Sequence, residues 1–325
     1  MSMQIQPINT SDLCVEDGFP LKVSPLVHGT SVQDMLPQLH ALVTARLPEV
    51  GAILFSGFSV GGAEAFQQFA ASFGHPLLNY EFGSTPRSKV SGGIYTSTEY
   101  PAHQHIPLHN EQAYTSEWPM KIWFYCDIAA ESGGETPIAD SRAVYRDIAP
   151  EIRQRFIDKG LMYVRNYGNG LDLPWQRVFN TESTSEVEAY CHQHAIAFEW
   201  SDDGDLRTSQ RCQGVGLHPT TGDAVWFNQA HLFHISTLAP DMREILLDSV
   251  GEENLPRNVY YGDGTPITEE ELDHVRAVLE RHKVAFPWKQ GDVLMLDNML
   301  AAHARAPFKG PRKVMVAMAE GHGAR

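Results

Sequence analysis

The chain is poor in cysteine, in positive charge and in long apolar runs. Its 325 residues include four cysteines, Cys14, Cys126, Cys191 and Cys212, widely spaced and without a CxxC pair. Four are too few for a disulfide framework, and they predict reduced thiols in a cytoplasmic protein. Lysine and arginine number 25 against 40 aspartates and glutamates, a formal charge of −15. A surface of that sign repels phosphate backbones and anionic lipid, so neither nucleic acid nor membrane is an expected partner. No run approaches the ~18 apolar residues of a spanning helix. The opening MSMQIQPINTSDL has neither a basic start nor an apolar h-region. What remains is ordinary globular composition, 42% apolar and 20% charged, at a length that buries roughly 75% of the unfolded chain's surface.

Helical spacing of Met35, Leu36, Leu39, Leu42, Val43 and Leu47 predicts a helix over 31–47, starting close before Pro37. A buried strand is expected at Gly51–Phe58, then a short helix carrying Phe66, Phe69 and Phe73 and ended by Gly74. Beyond Gly83 short apolar pieces stand between Gly, Pro, Asn and Asp: Lys121–Cys126, Leu161–Arg165, Ala224–Phe227, Val293–Leu296 and Lys313–Met318. That texture predicts a mainly β fold with surrounding helices, a sandwich or jelly roll. Further helices are expected at Ala149–Lys159 and at Thr268–His282, whose Thr-Glu-Glu-Glu opening places acid on the positive end of the dipole. With no repeat, low-complexity tract or linker, one domain over 1–325 is expected, with an insertion over about 172–208.

Among 15 histidines the informative segment is Pro107-Leu-His-Asn-Glu111. On a strand, His109 and Glu111 would point to the same face. The best third partner is His303, downstream between two apolar strand candidates. Two imidazoles and one carboxylate on one face of a metal leave open positions, the facial triad of non-haem Fe(II) oxygenases. His103, His105 and His109 also form HxHxxxH, which opens a zinc or cupin-type reading. A cupin set needs an acidic residue soon after the second histidine, and His109 and Asn110 are not acidic; HExxH does not occur.

Several segments carry a resemblance, in order along the chain: Ser97–Pro101 (STEYP), His109–Tyr114 (HNEQAY), Gly133–Asp140 (GGETPIAD), Val225–Gln229 (VWFNQ), Asp297–His303 (DNMLAAH) and Arg305–Val314 (RAPFKGPRKV). With these the chain resembles the TauD/TfdA superfamily of Fe(II)- and 2-oxoglutarate-dependent oxygenases, and within it the syringomycin-type amino-acid hydroxylases of natural-product pathways. The resemblance implies a double-stranded β-helix, an iron triad of His109, Glu111 and His303, and O2 as oxidant. It assigns Thr136, 25 residues after Glu111, to 2-oxoglutarate, and Arg312 to that molecule's far carboxylate. A guanidinium suits this through paired charge-assisted hydrogen bonds. Lys313 is the alternative cation one residue on, since a slip of one flips the side chain to the other face.

The departures from the family also inform. Taurine-cleaving members hold the sulfonate on an arginine four residues past the co-substrate arginine; here Val316 or Ala317 stands there, which disfavours taurine. Halogenating relatives replace the carboxylate ligand with a small residue, and Glu111 is a full carboxylate. The expected reaction is hydroxylation of an unactivated C–H bond in an amino acid or derivative, free or carrier-tethered. Desaturation or epoxidation by the same chemistry, and a zinc-bound or metal-free binding protein on the same fold, are the alternatives. Pocket candidates are Asn79, Arg87, Ser97, Thr98, Glu99, Arg165, Asn228, Gln229 and Arg305, with Asn298 expected beside the distal ligand His303.

Overall fold

Side chains alternate across a strand, and here both faces of the central strands are covered. The computed structural model describes residues 12–79, 88–98, 100–168 and 170–323. Among them an eight-stranded sheet runs in the order Leu13–Glu16, Leu21–Pro25, Ala52–Phe55, Val293–Asp297, Glu117–Ile128, Lys313–Gly323, Ile94–Thr96 and Lys89–Ser91. Its pairings are antiparallel apart from Leu21–Pro25 with Ala52–Phe55. On one face Phe124, Leu294, Leu296, Val314, Val316 and Met318 cluster with Ile138 and Ala301 of a three-stranded sheet. One residue along each strand, Trp123, Tyr125, Met295, Met315 and Ala317 pack instead with Leu39, Leu42, Phe66 and Phe69 of two helices. Doubly covered strands read as unbroken apolar runs. The result is the expected mainly β architecture with surrounding helices and a jelly-roll core.

The three-stranded sheet, Ile106–His109, Ala301–Arg305 and Ile138–Asp140, pairs His303 with His109 across an antiparallel register. A four-stranded sheet, Ala197–Trp200, Leu206–Cys212, Leu161–Tyr167 and Arg257–Tyr261, shares a separate core with Phe156, Trp226, Phe233, Val275 and Leu279. The stretch 172–208 supplies the helices Trp175–Phe179 and Thr184–Gln193, and its Val187, Cys191, Ile196 and Leu206 are buried in that core.

The predicted helices form with small changes at their ends. A 3-10 turn, Val32–Met35, leads into Leu36–Val50, with Pro37 in the first turn where its missing N–H is not needed. Phe66 and Phe69 are fully buried on Ala63–Ala71, each worth about 1.5–3 kcal/mol of burial. Pro150–Lys159 and Glu269–Arg281 follow expectation, the latter through a reciprocal Thr268/Glu271 capping box. All four cysteines are free thiols. Among the described residues no helix is long and apolar enough to cross a membrane.

Candidate metal and co-substrate site

His109 closes the strand Ile106–His109, and the chain then turns. Glu111 therefore stands on a turn and not two places along the same strand, which corrects the expected shared strand face. What redirects the backbone is a buried amide network. Asn110 donates to Ser141 Oγ at 3.1 Å and to the Asn298 carbonyl at 2.6 Å. Asn298 in turn accepts from the Glu111 N–H at 2.8 Å and donates to the Glu111 and Pro119 carbonyls at 2.9 and 2.8 Å. Gln112 completes the turn with φ of 54°, a left-handed conformation costly for a residue with a Cβ. Asn298 was expected beside His303; its hydrogen bonds instead hold Glu111.

The turn brings the Glu111 carboxylate to 3.8 Å from His303 Nε2. Donor atoms of His109, Glu111 and His303 all lie within 4.8 Å of one another, and among the described residues theirs is the group that can hold a metal ion. His103 and His105 are not part of it. The His109 and His303 rings sit 4.4 Å apart, and Phe124 packs on His303 at 5.0 Å. His109 Nδ1 donates to the Pro107 carbonyl at 2.8 Å, so its proton is on Nδ1 and Nε2 is the basic nitrogen, as a metal ligand requires. Behind the strand, His231 Nε2 donates to the Leu108 carbonyl at 2.8 Å, and burial pushes its pKa down to about 4. It is a neutral brace. Two imidazoles and a carboxylate form a donor set that suits divalent iron.

Cavities flank these donors on two sides, and His109 lines both. The first is bordered by Thr136, Arg312, Ser97, Phe124 and Val316. Arg312 donates to the Gly134 carbonyl at 2.9 Å and to Ser97 Oγ at 3.3 Å, both neutral partners. Burial, with Arg305 nearby, lowers its pKa to about 10, so an arriving carboxylate would relieve a desolvated cation. A Cβ at Gly134 would meet Arg312 Cδ at 2.9 Å, and one at Gly133 would meet the Pro307 carbonyl at 2.2 Å. The paired glycines let these backbones close on the arginine. Thr136 is buried, its Oγ1 accepting from Trp288 Nε1 at 3.1 Å. Lys313 points elsewhere, pairing with Asp127 at 2.9 Å.

The second cavity, about 160 Å³, is bordered by His109, Glu111, Gln229, Tyr100, Phe233 and Arg257. It shares Tyr100, Leu232, Phe233 and Arg257 with an outer vestibule of about 570 Å³. Arg257 was missed in the sequence because it belongs to no motif-like segment. It donates through Nη2 to Asp172 at 2.7 Å and lies 5.6 Å over the Phe233 ring. Burial works against the Asp172 charge, yet Arg257 first and Arg165 behind it hold that carboxyl below its ordinary range.

The other candidates divide. Ser97 and Thr98 border the first cavity and Gln229 the second. Gln229 Nε2 also donates to the Asn110 carbonyl at 2.7 Å. Arg305 lines the first cavity but donates to the carbonyls of Thr98, Tyr100, Pro101 and Gln104, pinning that loop. Arg165 is buried beside Asp172 at 3.8 Å. Asn228 donates to the Gly214 carbonyl and caps Ala230. Asn79 lines a different cavity, with Gln112 and Trp118. Arg87 and Glu99 lie outside the described residues.

A jelly roll with a two-histidine, one-carboxylate cluster between two cavities defines the class of mononuclear non-haem iron oxygenases. The taurine catabolism dioxygenase TauD, TfdA family matches residues 19–318, and the chain belongs to that family. It is an Fe(II)- and 2-oxoglutarate-dependent dioxygenase. It is 46% identical over 279 residues to the dapdiamide synthesis protein DdaC of Enterobacter agglomerans, covering 86% of this chain and 85% of that one. A clavaminate synthase-like protein of Arabidopsis thaliana is 35% identical over 297 residues, covering 88% and 86%. The solved structure of PvcB from Pseudomonas aeruginosa shares the fold, with a TM-score of 0.53 at 15% identity over 98% of this chain and 92% of that one.

Proposed function

We propose that this enzyme hydroxylates a C–H bond of a small amino-acid-type substrate in a natural-product pathway, with His109, Glu111 and His303 holding iron and Thr136 and Arg312 holding 2-oxoglutarate. The carrying observation is the placement of the three donors between two cavities. One cavity ends in a buried arginine with neutral partners and the other opens outward. Likeness to a protein of dapdiamide synthesis supports the pathway class. Both a free and a carrier-tethered substrate fit this reading.

Bound Fe(II) supplies O2 activation coupled to conversion of 2-oxoglutarate to succinate and CO2, the second oxygen atom entering the substrate. The chain's own residues do the rest. The Pro107 carbonyl fixes the His109 tautomer, and Asn298 fixes the Glu111 backbone. Arg312 offers a two-pronged grip for a distal carboxylate in a water-poor pocket. Phe124 and Val316 cover that pocket with apolar surface.

The test is anaerobic Fe(II) titration and 2-oxoglutarate turnover. His109→Ala, Glu111→Ala and His303→Ala should each lose stoichiometric iron, while His103→Ala should keep it. Arg312→Met should raise the 2-oxoglutarate KM by roughly ten- to a hundredfold, as loss of a charged hydrogen bond does, and Lys313→Met should leave it within about twofold. Retained iron in His303→Ala, or a larger effect at Lys313, overturns the assignment.

A further inference from the structure

The second cavity carries a feature that the iron and 2-oxoglutarate reading does not use. Among the described residues bordering it and its vestibule, Arg257 is the one arginine or lysine, and it borders both. It therefore stands at the neck between them. The inner space also contains His109 and Glu111. At about 160 Å³ the inner cavity is below the roughly 300–1,000 Å³ of drug-sized sites, so it suits an amino-acid-sized unit. The vestibule, about 570 Å³ and bordered by Leu171, Leu238 and Leu246, can take whatever is attached to that unit.

Asp172 and the Phe233 ring set the plane of the Arg257 guanidinium. Asp172 meets it edge-on through Nε and Nη2. The Phe233 ring lies beneath it at 5.6 Å. Its own strand is paired directly with the strand carrying Arg165, residue opposite residue, and Asp172 also faces Arg165 at 3.8 Å. A guanidinium held this way has lost its orientational freedom before any ligand arrives, which lowers the cost of a planar two-point contact. A buried ion pair is by itself weak evidence of a stabilising role. This one borders both the inner cavity and its vestibule.

We infer that Arg257 is a specificity-determining residue that binds a free carboxylate of the substrate at the neck of the cavity, and so orients the remainder of the amino-acid unit toward His109 and Glu111. The inference rests on the proposed function. It requires one free carboxylate, of the main chain or of the side chain, and leaves the rest of the molecule open to substitution.

The test uses calorimetry without O2 on the Fe(II)/2-oxoglutarate-loaded enzyme and, separately, on the metal-free protein. The probes are the free L-amino acids, aspartate and glutamate included, each beside its main-chain carboxamide and, for the two acids, its side-chain carboxamide. At least one acid should bind, and amidation at one defined end should weaken it by about tenfold or more. Which end matters tells main-chain from side-chain recognition. Arg257→Met should weaken that acid by at least about thirtyfold, Arg257→Lys should recover part of the loss, and iron stoichiometry should stay as in the wild type. If Arg257→Met fails to fold around the bare Asp172 charge, Asp172→Asn/Arg257→Met removes both charges and answers the same question. Binding indifferent to amidation at both ends, or no acid bound by either form, overturns the inference. Failure of wild-type iron binding would overturn the metal reading instead, and the metal-free titrations would still report on Arg257.

Discussion

The two sides of the donor cluster are built in opposite ways. The Arg312 side lies within the sandwich, between strands covered on both faces and closed by a paired-glycine turn. The Arg257 side is assembled from a strand edge, the ends of helices and long connections. Its outer wall includes Leu246 of the helix Pro240–Val250, which has no buried residue and exposes Met242 and Ile245. On the proposed reading, the part that receives the same co-substrate each time can be rigid. A part that selects and releases a substrate draws on the weakly anchored end of the molecule.

The largest expected effect falls on the donor cluster that the two sides share. Asn298→Ala removes three hydrogen bonds to the Glu111 and Pro119 backbone. It should cost about 3 kcal/mol or more in urea unfolding and weaken iron binding roughly ten- to a hundredfold. A stability loss without loss of iron affinity would show that the clamp serves the fold alone.

Next is the neutral brace behind the strand. The unfolded chain takes up a proton near pH 6.5, whereas folded His231 does so only at about pH 4. Between those values the unfolded state binds more protons, so stability falls as pH drops through that window, by roughly 3 kcal/mol at its end. His231→Gln should remove about one proton's worth of slope when variant and wild-type unfolding curves are compared from pH 7 to pH 5. An unchanged slope would mean that His231 is not held neutral.

The smallest effect belongs to the open side. Ile245→Gln should change stability by no more than about 0.5 kcal/mol. A larger loss would place that helix within the rigid framework and erase the contrast.

The same contrast explains what could be read from the sequence. Runs such as Val293–Leu296 announce strands because burial on two faces leaves no polar alternation to confuse them. Thr136 and Arg312 were reached through the family resemblance carried by the glycine pair and the basic run, and both border one cavity. Glu111 was found, although its turn was not, because the force bending the chain comes from Asn298, far away in sequence. Arg257 left no trace at all. Its place depends on a cross-strand register with Arg165 and on Asp172, and spacing along one chain encodes neither.

The cross-strand meeting of His109 and His303 bears on how the protein is made. The two lie 194 residues apart, yet they are partners in one register. Contacts so distant in sequence slow folding, and a ribosome adds about 5–20 residues each second. The growing chain therefore carries His109 and Glu111 for some ten seconds or more before the strand bearing His303 exists. Throughout that interval the amide clamp is missing too, since Asn298 arrives with the same late segment. The proposed donor set is complete only once the strand bearing His303 has been made. Acquisition of metal by the proposed site is thereby tied to arrival of that strand, and a nascent chain stalled before Asn298 has no assembled site in which to hold iron.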